Sequence, residues 1–286
     1  MRIADSQLHV CLPDTPASPW PDWAVQYGPA GTGGYPVSVD QLLDGMDQGG
    51  IDRAAIQVPT WFCGRDEYAL ESAAKAPDRF AVMARPRLDD PGEAARLARL
   101  FENETVRGIR AVFIDGGFGE LSAERWLTDG TCDWLYRFAA ERDIPLMLWA
   151  PRSTEAIGPL ADRHPGLRII LDQMNGFSMR PEDPADYARA IDPVLELAAH
   201  PTIAVKLRVW DWQVDEPHRS ETFEPEMKRL VEAFGAERTF WCSDFMNHRS
   251  FTPARLREVF ANLPFLGERE RNLLMGEALC HWLDWP

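Results

Sequence analysis

The chain has 286 residues, of which 45% are hydrophobic and 26% are charged. These are the values of an ordinary globular protein with enough chain to bury a full core, and they exclude disordered, collagen-like and low-complexity classes. The 45 acidic residues outnumber the 30 Lys and Arg residues, so the formal net charge is −15. Because an acidic surface repels phosphate backbones, we expect no nucleic-acid partner.

The sequence predicts neither a membrane span nor an export signal. No apolar run approaches the roughly 18 residues that a span needs, and residues 1–5 (MRIAD) do not open an apolar stretch of the kind that signal peptides contain. We therefore expect a cytoplasmic protein without a membrane partner. Its five cysteines form no CxxC pair, which argues against a zinc ribbon or a redox motif and favours reduced thiols.

Short runs rich in β-branched residues alternate with amphipathic helical stretches along the chain. The predicted strands are Ile3–Val10, Ala54–Val58, Phe80–Arg85, Gly108–Phe113, Leu146–Trp149, Arg168–Gln173, Thr202–Arg208 and Thr239–Asp244. The predicted helices are Val39–Gln48, Glu67–Lys75, Glu93–Glu102, Asp133–Arg142, Ala185–Ala198 and Glu224–Phe234. This alternation favours an α/β fold with a parallel sheet, and the length fits a single (β/α)8 TIM barrel, typically about 250 residues. A doubly wound open sheet is the alternative, although no glycine-rich nucleotide-binding motif follows a strand.

One long irregular stretch, residues 12–36, directly follows the first predicted strand. It contains six prolines and four glycines. In a barrel, a loop that follows a strand lies on the face that carries the active site. We therefore expect this segment to form a lid that covers the pocket through Trp20, Trp23 or Tyr35. The sequence shows no second domain, so residues 1–286 are expected to form one barrel unit.

Alternation of side chains across the strands predicts which residues point into the barrel. On the fourth strand the apolar face belongs to the outer helices and Arg110 points inward; on the seventh strand Lys206 and Arg208 point inward. The same rule groups the following side chains by face: Asp5 with Gln7 and His9, Gln173 with Ile169 and Leu171, and Asp244 with Phe240 and Cys242. The strand ends are thus expected to present polar and charged groups to one cavity. A structural salt bridge from Asp244 to Arg110 or Lys206 is the alternative interpretation.

Several short segments occur in an order and spacing typical of one family. They are DSQLHV at 5–10, GIDRAA at 50–55, DEYALE at 66–71, PDRF at 77–80, RGIR at 107–110, ILDQ at 170–173, VKL at 205–207 and CSD at 242–244. Together they resemble the amidohydrolase superfamily, in its amidohydrolase-2 branch of metal-dependent hydrolases, lactonases and decarboxylases. The resemblance covers about residues 1–285. It implies a TIM barrel with the active site at the carboxyl ends of the strands.

The resemblance also shows where this chain departs from the family. Family metal sites use two histidines of the first strand, a histidine at the end of the sixth and an aspartate that ends the eighth. The matching residues here are Gln7, His9, Gln173 and Asp244. A neutral amide is a poor ligand for zinc, which prefers imidazole, thiolate or carboxylate. Some lactonases of this branch act on small carboxylated lactones without a metal, and the two glutamines imply that this chain likewise uses no metal or other cofactor.

The favoured hypothesis is a hydrolase of the lactonase type that opens, or forms, a small carboxylated lactone or a related cyclic ester without a metal. Asp244 would be the general base, and Gln7, His9 and Gln173 would donate hydrogen bonds to the carbonyl oxygen. The expected substrate-binding side chains are Arg110, Lys206, Arg208, Trp61, Trp149, His248 and Arg85. The partner would be a small cyclic carboxylic acid, and a homo-oligomer is compatible with the sequence.

Two alternatives stay open. The first is a metal-dependent decarboxylase or amide hydrolase in which His9 and Asp244 hold Zn²⁺ or Mn²⁺, with His248 as one candidate for a third ligand. The second is a non-catalytic barrel that binds a small acid. Metal content separates the first alternative from the favoured hypothesis, whereas tight binding without turnover would mark the second, because a fold alone does not decide function.

Overall fold

Eight parallel strands form one sheet in the order β1 to β8. The protein is described by a computed structural model that covers residues 2–28, 34–116, 118–176, 191–248 and 250–286. The strands are β1 Ala4–His9, β2 Arg53–Gln57, β3 Phe80–Ala84, β4 Val106–Val112, β5 Leu146–Trp149, β6 Ile169–Leu171, β7 Ile203–Arg208 and β8 Thr239–Cys242. Each strand pairs in parallel with the next. The sheet is a nearly closed barrel, which confirms the predicted (β/α)8 fold over the open sheet.

Helices follow the strands and cover the outside of the barrel. They are α1 Val39–Gly49, α2 Glu67–Lys75, α3 Glu93–Leu100, α4 Asp133–Glu141, α5 Ile157–Arg163, α6 Glu224–Phe234, α7 Pro253–Ala261, α8 Glu268–Asn272 and α9 Ala278–Trp282. Helix α1 begins where Ser38 and Gln41 form a capping box that satisfies free N–H groups of the first turn. In the predicted helix Ala185–Ala198, residues 185–190 lie outside the described residues, whereas 191–196 are helical. No described helix is long and apolar enough to cross a membrane.

The hydrophobic core has an inner and an outer layer. The inner layer fills the barrel with Ala4, Ala55, Ala81, Met83, Met147, Ile170, Ala204 and Phe240. The outer layer joins the sheet to the helices and includes Ile109, Ala111, Val205 and Leu207. This division confirms the predicted faces of β4 and β7, because it leaves Arg110, Lys206 and Arg208 on the inner side. Below the site, the barrel interior is therefore filled by packed side chains.

The sixth strand is shorter than the predicted Arg168–Gln173. It ends at Leu171, and the next residues form a turn in which the φ angles of Gln173, Met174 and Asn175 are +52°, +55° and +53°. Ile170 belongs to the inner layer, so Ile169 and Leu171 face the helices. The predicted common face of Gln173 with Ile169 and Leu171 is therefore wrong, because the chain leaves the strand geometry before Gln173. The inward position after Ile170 belongs to Asp172.

Candidate active site

A cavity of about 390 Å³ opens at the carboxyl ends of the strands. It is lined by Gln7, His9, Tyr27, Tyr35, Pro59, Thr60, Trp61, Arg110, Val112, Phe118, Trp149, Gln173, Arg208, Asp244 and Asn247. All four side chains expected to carry the chemistry, from β1 and from the ends of β6 and β8, thus share one cavity. A cavity of this size suits a small ligand.

Asp244 lies two residues beyond β8 and is completely buried. One carboxylate oxygen accepts a hydrogen bond from Arg208 Nη1 at 2.6 Å, and the other accepts one from Asn247 Nδ2 at 2.9 Å. The backbone is left-handed at this residue, with φ of +48°. For a non-glycine residue this conformation costs on the order of 1–2 kcal/mol. The fold thus holds the carboxylate on the cavity wall in a strained backbone position, a feature that is common at functional sites.

His9 and Gln7 line the cavity from β1, the strand that lies beside β8. The imidazole Nε2 of His9 lies 3.4 Å from Gln7 Nε2 and 3.9 Å from an Asp244 oxygen. Burial lowers the pKa of His9 to about 3, so the ring is neutral in neutral solution. The amide oxygen of Gln7 accepts a hydrogen bond from Lys206 Nζ. Lys206 therefore fixes the amide oxygen of Gln7, and the amide nitrogen of Gln7 faces His9.

A layer of ion pairs lies directly beneath the cavity and centres on Asp172. Arg110 donates to one Asp172 oxygen through Nε at 2.6 Å and Nη2 at 2.5 Å, and Lys206 Nζ contacts the other oxygen. Burial alone would raise the pKa of Asp172, but the charges of Arg110 and Lys206 lower it to about 2. Arg110 also reaches the cavity wall, whereas Lys206 is completely buried below it. The salt bridge from Asp244 to Arg110 or Lys206 that the sequence allowed is therefore not formed. Arg110 and Lys206 pair with Asp172, whereas Asp244 pairs with Arg208.

The turn after β6 brings Gln173 to the cavity. Asn175 holds this turn, because its side-chain oxygen accepts a hydrogen bond from Ala150 N at 2.6 Å and its Nδ2 donates to Ala150 O at 2.8 Å. Ala150 directly follows β5. The turn is thereby fixed to the neighbouring strand, and the left-handed residues project Gln173 towards the site.

Aromatic rings form the upper wall and come partly from the segment 12–36. Tyr27 stacks on Trp61 with ring centroids 5.4 Å apart and an interplanar angle of 14°, and Tyr35 meets Trp61 edge-on at 5.3 Å. Trp20 and Trp23 also contact the ring of Trp61 but do not line the cavity. The described parts of the segment, residues 12–28 and 34–36, therefore lie at the cavity side of the barrel; residues 29–33 are outside the described chain.

Three expected binding residues, Arg85, His248 and Lys206, do not line the cavity, and Lys206 lies buried in the ion-pair layer beneath it. Arg85 follows β3, is buried to 1% exposure and donates through Nη2 to Thr60 Oγ1 at 2.6 Å. His248 is held by a contact of its Nδ1 with Asp211. Of the other expected binding side chains, Trp61, Trp149, Arg110 and Arg208 line the cavity.

Sequence reasoning missed several residues of the site, namely Asp172, Tyr27, Phe118 and Asn247. Asp172 could have been found from the sequence. If the predicted sixth strand ends at Asp172 and Ile170 faces inward, alternation places Asp172 on the inward face as well. The other three lie on loops, where neither strand parity nor helical periodicity gives a signal.

A barrel with polar and charged groups at the carboxyl ends of its strands has the architecture of a TIM-barrel enzyme. Residues 4–278 match the protein family described as amidohydrolase. The chain therefore belongs to the amidohydrolase family, which confirms the resemblance found in its motifs and the expectation of a hydrolase.

Three known proteins illustrate this relationship. The chain is 28% identical over 236 residues to an L-fucono-1,5-lactonase of Burkholderia ambifaria, covering 77% of this chain and 76% of the relative. An amidohydrolase from Burkholderia multivorans with bound zinc has a TM-score of 0.80 at 20% identity, with full coverage of both chains. A probable 2-pyrone-4,6-dicarboxylic acid hydrolase from Acinetobacter baumannii, with citric acid bound, has a TM-score of 0.73 at 14% identity, covering 99% and 100%. At these identities the two solved structures establish the fold.

Proposed function

We propose that this protein hydrolyses a small carboxylated lactone without a metal, with Asp244 as the general base. The observation that carries the proposal is the arrangement in one cavity of a buried carboxylate, a neutral imidazole and two amide side chains beside the guanidinium groups of Arg110 and Arg208. The lactonase activity of the Burkholderia ambifaria relative supports the same type of reaction.

The reaction follows from the positions of these groups. Asp244 takes a proton from a water molecule, whose oxygen forms a bond to the lactone carbonyl carbon. Gln7, His9 and Gln173 offer hydrogen bonds to the oxyanion that develops on the carbonyl oxygen. The bond from that carbon to the ring oxygen then breaks, and the proton held by Asp244 passes to the leaving oxygen. The product is an open hydroxy acid, and the carboxylate of Asp244 is restored.

Positive side chains favour a substrate that carries its own carboxylate. Arg110 and Arg208 both line the cavity. Arg110 bonds Asp172 and Arg208 bonds Asp244, but a guanidinium group has five N–H donors, so each keeps further donors for a substrate carboxylate. Arg85 adds a buried cation behind Thr60, with its Nε and Nη1 without a hydrogen-bond partner among the described residues. The flat aromatic wall of Tyr27, Trp61 and Phe118 suits a planar or cyclic ring.

The residues at the family's metal position do not fit a divalent cation. The amide oxygen of Gln7 is engaged by the ammonium group of Lys206, and one oxygen of Asp244 is engaged by Arg208. Among the described residues, no group of three His, Cys, Asp or Glu side chains is placed to hold a metal. A divalent ion here would have only His9 and the already bonded Asp244 as good ligands, beside two neutral amides and nearby cations, which is a poor donor set for such ions.

A substrate panel with a metal assay tests the proposal. Five- and six-membered lactones, each with and without a ring carboxylate, are incubated with untagged protein whose zinc and manganese contents are measured by elemental analysis. We expect ring opening of carboxylated lactones, less than one metal per chain and unchanged rates after treatment with EDTA. One bound Zn²⁺ or Mn²⁺ per chain, with activity that chelation abolishes and the metal restores, would contradict metal independence. Failure to open any lactone would contradict the activity itself.

A further inference from the structure

The barrel closes differently between its last and first strands than elsewhere. Backbone ladders join every consecutive pair from β1 to β8. The described strands β8 and β1 lie side by side but form no backbone ladder, and the register of β1 is interrupted between Asp5 and Leu8. We call residues 4–9 together with residues 239–244 the β8–β1 seam. At the seam, other groups must join the two strands.

Two side chains of β1 make these connections. Ser6 Oγ donates a hydrogen bond to Trp241 O at 2.7 Å. Nearer the cavity, the carboxylate of Asp5 accepts hydrogen bonds from Ser243 N, at 3.2 Å and 3.1 Å to its two oxygens, and from Ser243 Oγ. The same carboxylate accepts a hydrogen bond from Gln7 N at 3.0 Å. One completely buried carboxyl group thus bonds both sides of the seam.

The partners of Asp5 are adjacent to the reacting groups. Ser243 directly precedes Asp244, whose left-handed backbone sets the direction of its carboxylate. Gln7 lines the cavity itself. The Asp5 carboxyl group therefore connects the backbone beside Asp244 to the backbone of Gln7.

We propose that Asp5 is a positioning residue of the active site, which clasps Ser243 to Gln7 and thereby fixes where Asp244 and Gln7 enter the cavity. Asp5 does not line the cavity with Gln7 and His9, so the predicted common face of these three residues is wrong; the register of β1 is interrupted between Asp5 and Leu8. Asp5 therefore acts through its neighbours and not on the substrate. Burial raises the pKa of Asp5 to about 7 against the opposing effect of these hydrogen bonds. A buried carboxyl group is costly to stability, as expected of a group that serves geometry more than packing. The catalytic consequence rests on the proposed function.

Three variants separate positioning from general support of the barrel. Asp5→Asn keeps the shape but turns an NH2 group towards N–H donors. Ser243→Ala removes only the hydroxyl bond and keeps the backbone bond. Ser6→Ala is the matched control, since it removes a buried hydrogen bond of the same seam that does not touch Gln7 or Ser243. Each variant is measured for kcat and KM on the lactone that wild type opens, for thermal unfolding, and for amide hydrogen exchange along the chain.

We expect Asp5→Asn to lower kcat by about 10- to 100-fold with KM within about twofold, because small misplacement of reacting groups can cost about 100-fold in rate. Ser243→Ala should lower kcat by about three- to tenfold, the equivalent of one neutral hydrogen bond of about 1 kcal/mol. Ser6→Ala should lower the unfolding temperature and leave kcat unchanged. In Asp5→Asn, exchange should accelerate in residues 241–247 more than in the strands β3 to β5.

Several outcomes would overturn the proposal. Full kcat per folded molecule in both Asp5→Asn and Ser243→Ala would do so, as would an equal loss of kcat in Ser6→Ala. If Asp5→Asn does not fold, Ser243→Ala decides the question: a lower kcat with little change in KM supports the proposal, and an unchanged kcat contradicts it. If wild type opens no lactone, the proposed function fails, and hydrogen exchange alone decides: faster exchange confined to residues 241–247 supports the clasp, and unchanged exchange there removes it.

Discussion

Asp172 and Asp244 both lie just beyond a strand on the carboxyl side of the barrel, yet their surroundings differ in charge and in access. Asp172 lies beneath the cavity between Arg110 and Lys206, whose charges lower its pKa to about 2 against the effect of burial. Asp244 lies on the cavity wall and is bonded by one guanidinium group, Arg208, and by the neutral amide of Asn247. Two identical side chains, one after β6 and one after β8, thus have different environments.

The difference indicates how the barrel divides structure from chemistry. A carboxylate bonded by two buried cations is locked in its charged form and cannot readily accept a proton, so Asp172 serves as an anchor for Arg110 and Lys206. A carboxylate that borders the cavity can meet a water molecule. Under the proposed function, Asp172 contributes to stability and Asp244 acts in the reaction, and variants at both positions test this division.

The largest expected effect is that of Asp244→Asn on turnover. The change preserves shape and removes the basicity, so kcat should fall by at least about 10²–10⁴-fold, the usual contribution of a general base. Substrate affinity should change little, and stability should fall less than in Asp172→Asn, since only one buried cation, Arg208, loses its carboxylate and Asn can still accept its hydrogen bond. Steady-state kinetics beside thermal unfolding checks this. An unstable protein that retains wild-type turnover per folded molecule would instead identify Asp244 as a structural ion-pair partner.

The corresponding substitution of Asp172 should act mainly on stability. Asp172→Asn leaves Arg110 and Lys206 buried without their carboxylate, and breaking a buried ion pair costs about 3–5 kcal/mol. Urea unfolding of the two Asn variants under identical conditions measures the contrast. Equal stabilities for Asp172→Asn and wild type would show that the layer beneath the cavity is not an electrostatic anchor.

Arg208 tests whether the cavity recognises a carboxylate. Arg208→Met should raise KM for a carboxylated lactone by about 10- to 100-fold, corresponding to a charged hydrogen bond of about 1.5–3 kcal/mol. For the matching lactone without the carboxylate, KM should change little. Arg208→Lys retains the charge and should recover part of the affinity. A similar rise in KM for both lactones would place the effect on the orientation of Asp244 and not on the substrate's charge.

The inward-facing residues of the regular strands could be predicted from the sequence, whereas those of the irregular turn after β6 could not. Strand alternation placed Arg110, Lys206 and Arg208 inside, because β4 from Ile109 onward and β7 pair regularly and have an apolar outer face. It failed after β6, where three successive non-glycine residues adopt positive φ angles. Such a turn is held by tertiary bonds from Asn175 to Ala150, for which a local sequence pattern gives no indication.

The sequence also did not predict which cation pairs with which carboxylate. Parity supplied three cations and placed Asp244 near them, but it could not show which cation bonds which carboxylate. The actual pairs depend on height along the barrel axis: Arg208 is two residues further along β7 than Lys206 and thus reaches the level of Asp244. The aromatic wall was accessible only in part, since Trp61 and Tyr35 were identified whereas Tyr27 and Phe118 belong to loops without a repeating pattern.

Another buried carboxyl group, Glu226 on helix α6, extends the comparison to a carboxyl group without an ion pair at bonding distance among the described residues. It is 3% exposed and accepts a hydrogen bond from Gln213 Nε2 at 3.4 Å. Burial raises its pKa from 4.5 to about 8. Between these two pH values the folded protein holds a proton that the unfolded chain releases, so this group's contribution to stability is full below about pH 4.5 and is lost as the pH rises to about 8.

Glu226→Gln isolates this smallest effect, because glutamine keeps the neutral form and the shape at every pH. We expect the unfolding temperature of wild type to fall relative to that of Glu226→Gln as the pH rises from 5.5 to 8, and the difference to level off above about pH 8. Thermal unfolding of both proteins across that range measures it, and kcat should be the same in both because Glu226 lies outside the cavity. Parallel unfolding temperatures across the range would mean that Glu226 is charged in the folded protein, and that burial without a bonded cation does not suffice to keep a carboxyl neutral here.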